Sequence, residues 1–284
     1  MDMRQYNQAM IASYSRRTAS ENSSYMLPLL KADMRILDVG CGPGTITLDL
    51  AAHVVEGSVT GIDASSNAIE SANGLSKQRG VSNASFLVGD VLKLPFDDNS
   101  FDIVHAHQVL GHLPCGDGDP GPVWGLKEMR RVCKPGGLVC AREVEWSSVV
   151  VYPRTEEISE CLALIERLAK DAGKVMAGGR GKEFARRAGF GPDGISASAA
   201  AVTYSNVLDR DWWGENMASR LESSPDLKKG VELGYVAQEV AARMPDAWRE
   251  WARADDAFYC VIDGQVWEWE WEWEWEWEWE WEWE

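Results

Sequence analysis

The chain has 284 residues, 45% hydrophobic and 26% charged, enough to bury a full core and unlike a disordered or fibrous composition. Its formal net charge is −17, but Trp267 to Glu284 are nine Trp-Glu repeats; outside them 36 acidic residues face 28 basic ones, a balance of −8. Basic pairs are scattered at Arg16–Arg17, Arg130–Arg131 and Arg186–Arg187, which argues against a nucleic-acid partner, whose binding draws on clustered Lys and Arg.

Cys41, Cys115, Cys133, Cys140, Cys161 and Cys260 show no C-x-x-C spacing, and no leader-like segment opens the chain. Free thiols in a reducing, cytoplasmic setting are expected. No apolar run has the length of a membrane span, so the expectation is a soluble protein with no membrane partner.

In chain order, residues up to about Leu30 read as helix with polar interruptions, a flap (1–30) whose Tyr14, Tyr25 and Met26 face inward. A core (31–150) follows. Met34–Val39 is an apolar run ending in Gly40, and Ile46–His53 is helical, so the pattern is strand, tight turn, helix. It repeats as strand Ser58–Ile62, helix Ser66–Arg79, strand Ala84–Val88, strand Phe101–Ala106, helix Pro122–Cys133 and strand Leu138–Glu143. Such alternation predicts an α/β fold with a parallel sheet covered on both faces.

Beyond Pro153 the rhythm changes. Glu156–Ala172, Gly181–Ala188, Asp211–Glu222 and Leu227–Arg243 read as helices, and only Ile195–Tyr204 and Phe258–Ile262 as strands. Residues 151–266 therefore complete the sheet and add a helical cap, and 267–284 form a low-complexity tail. Fully extended, that tail would put every Trp on one face and every Glu on the other. Repulsion between its glutamates argues against stable solitary structure, and a repeat expansion explains it better than a function.

The strongest chemical signal is Ile36-Leu-Asp-Val-Gly-Cys-Gly-Pro-Gly-Thr45. Glycines 40, 42 and 44, with Cys41 and Pro43 between them, sit between a strand and a helix, where doubly wound proteins bind nucleotide-like ligands against the main chain. Asp63, followed by Ala64, closes the second strand nineteen residues after Gly44, at the spacing where a carboxylate accepts from ribose hydroxyls. Asp90 closes the third. A nicotinamide-dependent oxidoreductase would want Gly or Ala where Thr45 stands, and Asp38 would repel a pyrophosphate while suiting the ammonium of a methionyl group.

These residues resemble a known family. Asp38 to Gly44 is similar to motif I of class I S-adenosylmethionine-dependent methyltransferases, Asp63 to the motif II acid, and Asp90 in Gly-Asp-Val-Leu-Lys-Leu-Pro-Phe to the adenine loop. Phe101-Asp-Ile-Val is similar to motif IV, and Leu126 to Gly137 to the segment leading into strand five. The likeness covers roughly residues 34 to 145 and is greatest to the ubiquinone/menaquinone-biosynthesis-type group, which acts on many small molecules; His105 to Leu113 is also familiar from it. The resemblance implies a Rossmann-like seven-stranded sheet and S-adenosylmethionine as cofactor. It further implies that Gly40, Gly42 and Gly44 face the methionyl part, Asp63 the ribose, Asp90 and Val91 the adenine, and His107, Gln108 and Val109 the sulfonium. Pro114 to Pro122 departs from the group as an inserted loop, and the Trp-Glu run matches nothing in it.

In-line methyl transfer needs contact and alignment, and a base only if the acceptor must lose a proton. His107 and then His112 are the candidates, with Glu143 and Glu145 behind them. His105, His107, His112 and Cys115 lack the paired ligand spacing of a zinc site, so no metal is expected. Tyr152, Tyr204, Trp212, Trp213, Trp248 and Trp251 are available to line an apolar pocket, the Trp212–Trp213 pair foremost. The reading is a methyltransferase of a small apolar or aromatic molecule. A cofactor-binding descendant without catalysis is the alternative, and oligomeric state is not legible.

Overall fold

The computed structural model describes residues 8–114 and 120–269. Its strands are β1 (Arg35–Val39), β2 (Ser58–Asp63), β3 (Ala84–Val88), β4 (Phe101–His107), β5 (Cys133–Tyr152), β6 (Ile195–Tyr204) and β7 (Phe258–Trp269). They form one sheet in the order β3-β2-β1-β4-β5-β7-β6, parallel from β3 to β5, with β7 antiparallel to both neighbours. The helices are α1 (Gln8–Tyr14), α2 (Ala19–Asn22), α3 (Thr45–Ala51), α4 (Ser66–Arg79), α5 (Gly121–Val132), α6 (Glu156–Asp171), α7 (Gly181–Ala188), α8 (Val207–Ser223), α9 (Asp226–Glu232) and α10 (Gln238–Arg253). None is long and apolar enough to cross a membrane.

Strand alternation divides the core. Ile36 and Leu37 are adjacent in β1 and fully buried, yet they belong to clusters on opposite faces of the sheet. Ile36 packs with Met26, Leu50 and Val59, so the flap helps cover one face; Leu37 packs with Leu126, Met129 and Phe184 of α5 and α7. A third cluster fills the cap around Trp213, Met217, Trp248, Trp251 and Tyr259. Trp248 donates to Cys161 Sγ at 3.4 Å and Trp251 to the Tyr152 carbonyl at 2.9 Å, so these two indoles hold the cap together and do not line a pocket. Tyr152 itself is exposed.

Three expectations need correction. The helix expected over Leu227–Arg243 is two helices, because Gly234 adopts φ +70 just after α9 and ends it. The strand expected at Leu138–Glu143 starts five residues earlier and runs on to Tyr152, and the one expected at Phe258–Ile262 continues to Trp269, because each provides the other's long antiparallel partner. The alternating tail therefore does not begin outside the fold. Trp267 and Glu268 lie between β5 and β6, pairing with Cys140 and Val139 on one side and Ser196 and Ile195 on the other. The Trp267 ring sits 5.7 Å from Tyr25 of the flap, and Glu268 is buried. Trp269 pairs with Leu138 as the last residue of β7, and the repeat from 270 onward lies outside the described residues.

Candidate functional site

The site is built at the carboxyl ends of β1, β2 and β4. The turn after β1 is tied down by Gly40 and Cys41, whose N–H groups both donate to the Ile62 carbonyl at 2.7 and 3.0 Å. All three glycines take left-handed angles, but for different neighbours. A Cβ on Gly40 would stand 2.3 Å from Val109 Cγ2, and one on Gly44 would stand 2.8 Å from both Ala72 and Phe86. At Gly42 it would meet nothing within 4 Å. Gly42 alone leaves open ground above the backbone; the other two exist for packing.

That ground is the floor of a cleft whose empty space, open mouth included, is about 930 Å³. Of the cofactor and catalytic candidates named from the sequence, Glu143, Glu145 and Gly44 do not line it; Gly44 faces α4 and β3 as the residue before α3. Asp63 Oδ2 accepts from Gly42 N at 2.9 Å and Oδ1 from Ser65 N at 2.8 Å, so this carboxylate shapes the turn and borders the cleft together. Asp90 is exposed at the rim, accepting from Leu92 N at 2.9 Å. Tyr14 and Arg17 of the flap also line the cleft, and no motif marks them in the sequence.

Beneath the floor runs a buried polar row. Asp38 takes hydrogen bonds from Thr47 at 2.6 Å and His105 Nδ1 at 2.9 Å, and His105 Nε2 meets Ser23 Oγ at 3.1 Å. Both nitrogens of His105 are thereby used. Among the described residues no three His, Cys, Asp or Glu side chains are grouped to hold a metal; Cys115 lies outside them. Arg142 continues the row, donating to Asp263 at 2.9 Å and to the Glu21 carbonyl at 2.6 Å, so α2 and the Ser23 that follows it are docked onto β4 and β5 by polar contacts.

His107 is buried, with Nε2 3.3 Å from Asn22 Nδ2. Asn22 Oδ1 already accepts from Thr18 N at 3.1 Å, so the Asn22 amide nitrogen faces the ring and donates to Nε2. The ring proton then sits on Nδ1, which has no partner among the described residues. Burial, followed by the charges of Arg17 and Arg142, holds the His107 pKa well below 6.5. This neutral tautomer presents a donor and has its lone pair occupied.

Gln108 takes φ +55 and accepts from Arg17, and the next three N–H groups, of Val109, Leu110 and Gly111, converge on the Glu143 carboxylate at 2.7, 2.7 and 3.2 Å. Burial raises Glu143 to about 7 against those three bonds. Glu145 likewise accepts from Ser147 and Gly179 N, so both carboxylates brace loops. His112 stands at the exposed lip of the cleft, where enclosure by the chain and then Lys174, Arg17 and Arg220 lower its pKa to about 4. Its ring makes no hydrogen bond among the described residues, so its lone pair is available.

Residues 30–185 match the methyltransferase domain family. The chain is 34% identical to an uncharacterized methyltransferase of Schizosaccharomyces pombe over 257 residues, 88% of this chain and 89% of that one. It is 39% identical to a demethylmenaquinone methyltransferase of Staphylococcus aureus over 124 residues, 43% of this chain and 48% of that one. The YcgJ protein of Bacillus subtilis shares the fold at a TM-score of 0.57 and 18% identity, covering 88% of this chain and 97% of its own. With the strand order, the glycine turn and the cleft it opens onto, these likenesses carry one conclusion: the chain belongs to the methyltransferase domain family, as a class I S-adenosylmethionine-dependent methyltransferase.

Proposed function

We propose that this enzyme methylates a small, apolar or aromatic molecule held between the cofactor cleft and the cap. The observation that carries the reading is the ring cluster of the cap, where Trp213 lies 4.8 Å from Tyr204 and 4.9 Å from Tyr259, the latter paired with Val151 at the carboxyl end of β5. Arg17 lines the cleft, and the guanidinium of its neighbour Arg16 lies 4.6 Å from the centre of the Trp212 ring, itself 5.6 Å from Tyr204.

The residues present fit the cofactor. Gly42 offers unobstructed main chain for the methionyl end, Asp63 borders the ribose position, and Asp90 with Val91 the adenine. Asp38, although bonded to Thr47 and His105, keeps carboxylate lone pairs to orient an ammonium group. Cys41, Pro43, Ala64, Gln108 and Val109 complete the walls. When bound, the cofactor supplies an electrophilic methyl carbon: the acceptor's lone pair bonds to it while the carbon–sulfur bond breaks and its electrons leave on sulfur.

The chain's own share is alignment, burial and one proton. His107, neutral and protonated on Nδ1, orients whatever oxygen or nitrogen lies beside the sulfonium. His112 takes the acceptor's proton where there is one to lose. Five described cysteines are free and four of them are buried, which supports a reducing, cytoplasmic setting. Calorimetry with S-adenosylhomocysteine tests the cofactor assignment. Asp63→Ala should weaken binding by about tenfold or more, the scale of a charged hydrogen bond, and unchanged affinity would overturn it.

A further inference from the structure

The cleft carries a permanent positive charge that comes from the flap. Among the described residues that line it, the acids are Asp38, Asp63 and Asp90 and the basic side chains are Arg17, His107 and His112. Both imidazoles are neutral near pH 7, since burial and neighbouring cations hold His107 well below 6.5 and His112 is lowered to about 4. Of these three only Arg17 stays charged there, because a guanidinium does not lose its proton in proteins.

Two contacts fix where that charge lies. The Arg17 guanidinium stands 4.4 Å from the centre of the Tyr14 ring and donates to Gln108 Oε1. Tyr14 accepts at its carbonyl from Thr45 Oγ1 at 3.4 Å, above the first residue of α3, and Gln108 directly follows β4. Arg17 therefore bridges the glycine turn after β1 and the loop after β4, which are neighbouring strands. The acids assigned to the ribose and the adenine lie to the other side of β1, at the end of β2 and just after β3. A cofactor laid along this edge of the sheet brings its amino-acid end to Arg17.

Asp38 answers the ammonium of that end. The carboxylate next to the ammonium is the cofactor's negative group, and in a cleft lined by three acids it needs a cation. A guanidinium presents its N–H donors in one plane, so it can hold an amide oxygen on one edge and a carboxylate on another. We propose that Arg17 binds the carboxylate of S-adenosylmethionine, with Tyr14 and Gln108 positioning the guanidinium, so that the flap is part of the cofactor site. This rests on the seating of the cofactor given above.

The test is calorimetry on the full chain with S-adenosylhomocysteine and with its decarboxylated analogue, which keeps the adenosine and the ammonium. Wild type should bind the analogue about tenfold or more weakly, and Arg17→Gln should weaken S-adenosylhomocysteine by a similar factor, the scale of a charged hydrogen bond. The same variant should bind the analogue like wild type, which also shows that it folds. Unchanged S-adenosylhomocysteine affinity in Arg17→Gln, or an equal loss for both ligands, would overturn the proposal. Asp63→Ala should weaken both ligands, because both carry the ribose. If it weakens neither while Arg17→Gln still separates them, the ribose placement fails and the carboxylate contact stands.

Discussion

Glu143→Gln should flatten the pH dependence of stability between about pH 4.5 and pH 8. In the wild type the carboxyl is buried against three N–H donors at 2.7, 2.7 and 3.2 Å, and burial outweighs them, lifting the pKa from 4.5 to about 7, with the charge of Asp263 adding to the rise. The folded protein therefore holds this proton more tightly than the unfolded chain. The stabilisation is complete below about pH 4.5 and is lost as pH rises through about 7. At about 1.4 kcal/mol per tenfold in proton affinity, the loss is roughly 3 kcal/mol. Glutamine cannot titrate. Its amide oxygen keeps the bonds from Val109 and Leu110, and losing the Gly111 bond costs about 1 kcal/mol at every pH. Urea unfolding of both proteins at pH 5 and pH 8 reads the difference, because other titrating groups are common to both and cancel. Wild type should lose roughly 3 kcal/mol more than the variant across that interval; equal losses would refute a buried, proton-holding Glu143.

Gly40→Ala and Gly42→Ala should separate packing from ligand contact. The first drives a methyl group to 2.3 Å from Val109 Cγ2 on top of an unfavourable φ, about 2 to 4 kcal/mol of stability; the second meets only the φ strain, about 1 to 2 kcal/mol. Thermal melts should rank Gly40→Ala lower, whereas S-adenosylhomocysteine affinity should fall at least tenfold in Gly42→Ala, and an unchanged Kd there would mean the cleft floor is misassigned. For an acceptor that must lose a proton, His112→Gln should lower turnover by ~100-fold with cofactor affinity intact, while His107→Gln should fall short of that. A larger loss from His107→Gln than from His112→Gln would show that the Nδ1–H tautomer is not the working form. Since His112 titrates near 4 and is neutral above it, wild-type turnover of an acceptor that does not itself ionise should be flat from pH 6 to 9; a step in that range would count against His112 as the base.

What the sequence by itself determined is whatever depends on neighbours a few residues apart. The apolar run to Val39, the glycines after it and the acids ending β2 and following β3 are local patterns, and they led to the fold, the family and thirteen of the 21 residues that line the cleft. Gly44 looked like its two companions because all three need positive φ; only the structure shows that Ala72 and Phe86 occupy the space a ligand would need. His107 reads as a base until Asn22, 85 residues away, takes its lone pair, and Glu143 reads as a further candidate base until three N–H groups some thirty residues earlier close on it. The Trp-Glu run looked wholly detached, yet its first residues complete β7, because β5 and β6 offer backbone partners to any strand lying between them. Proton location, burial and pairing belong to contacts between distant segments, and only the packed chain decides which distant groups meet.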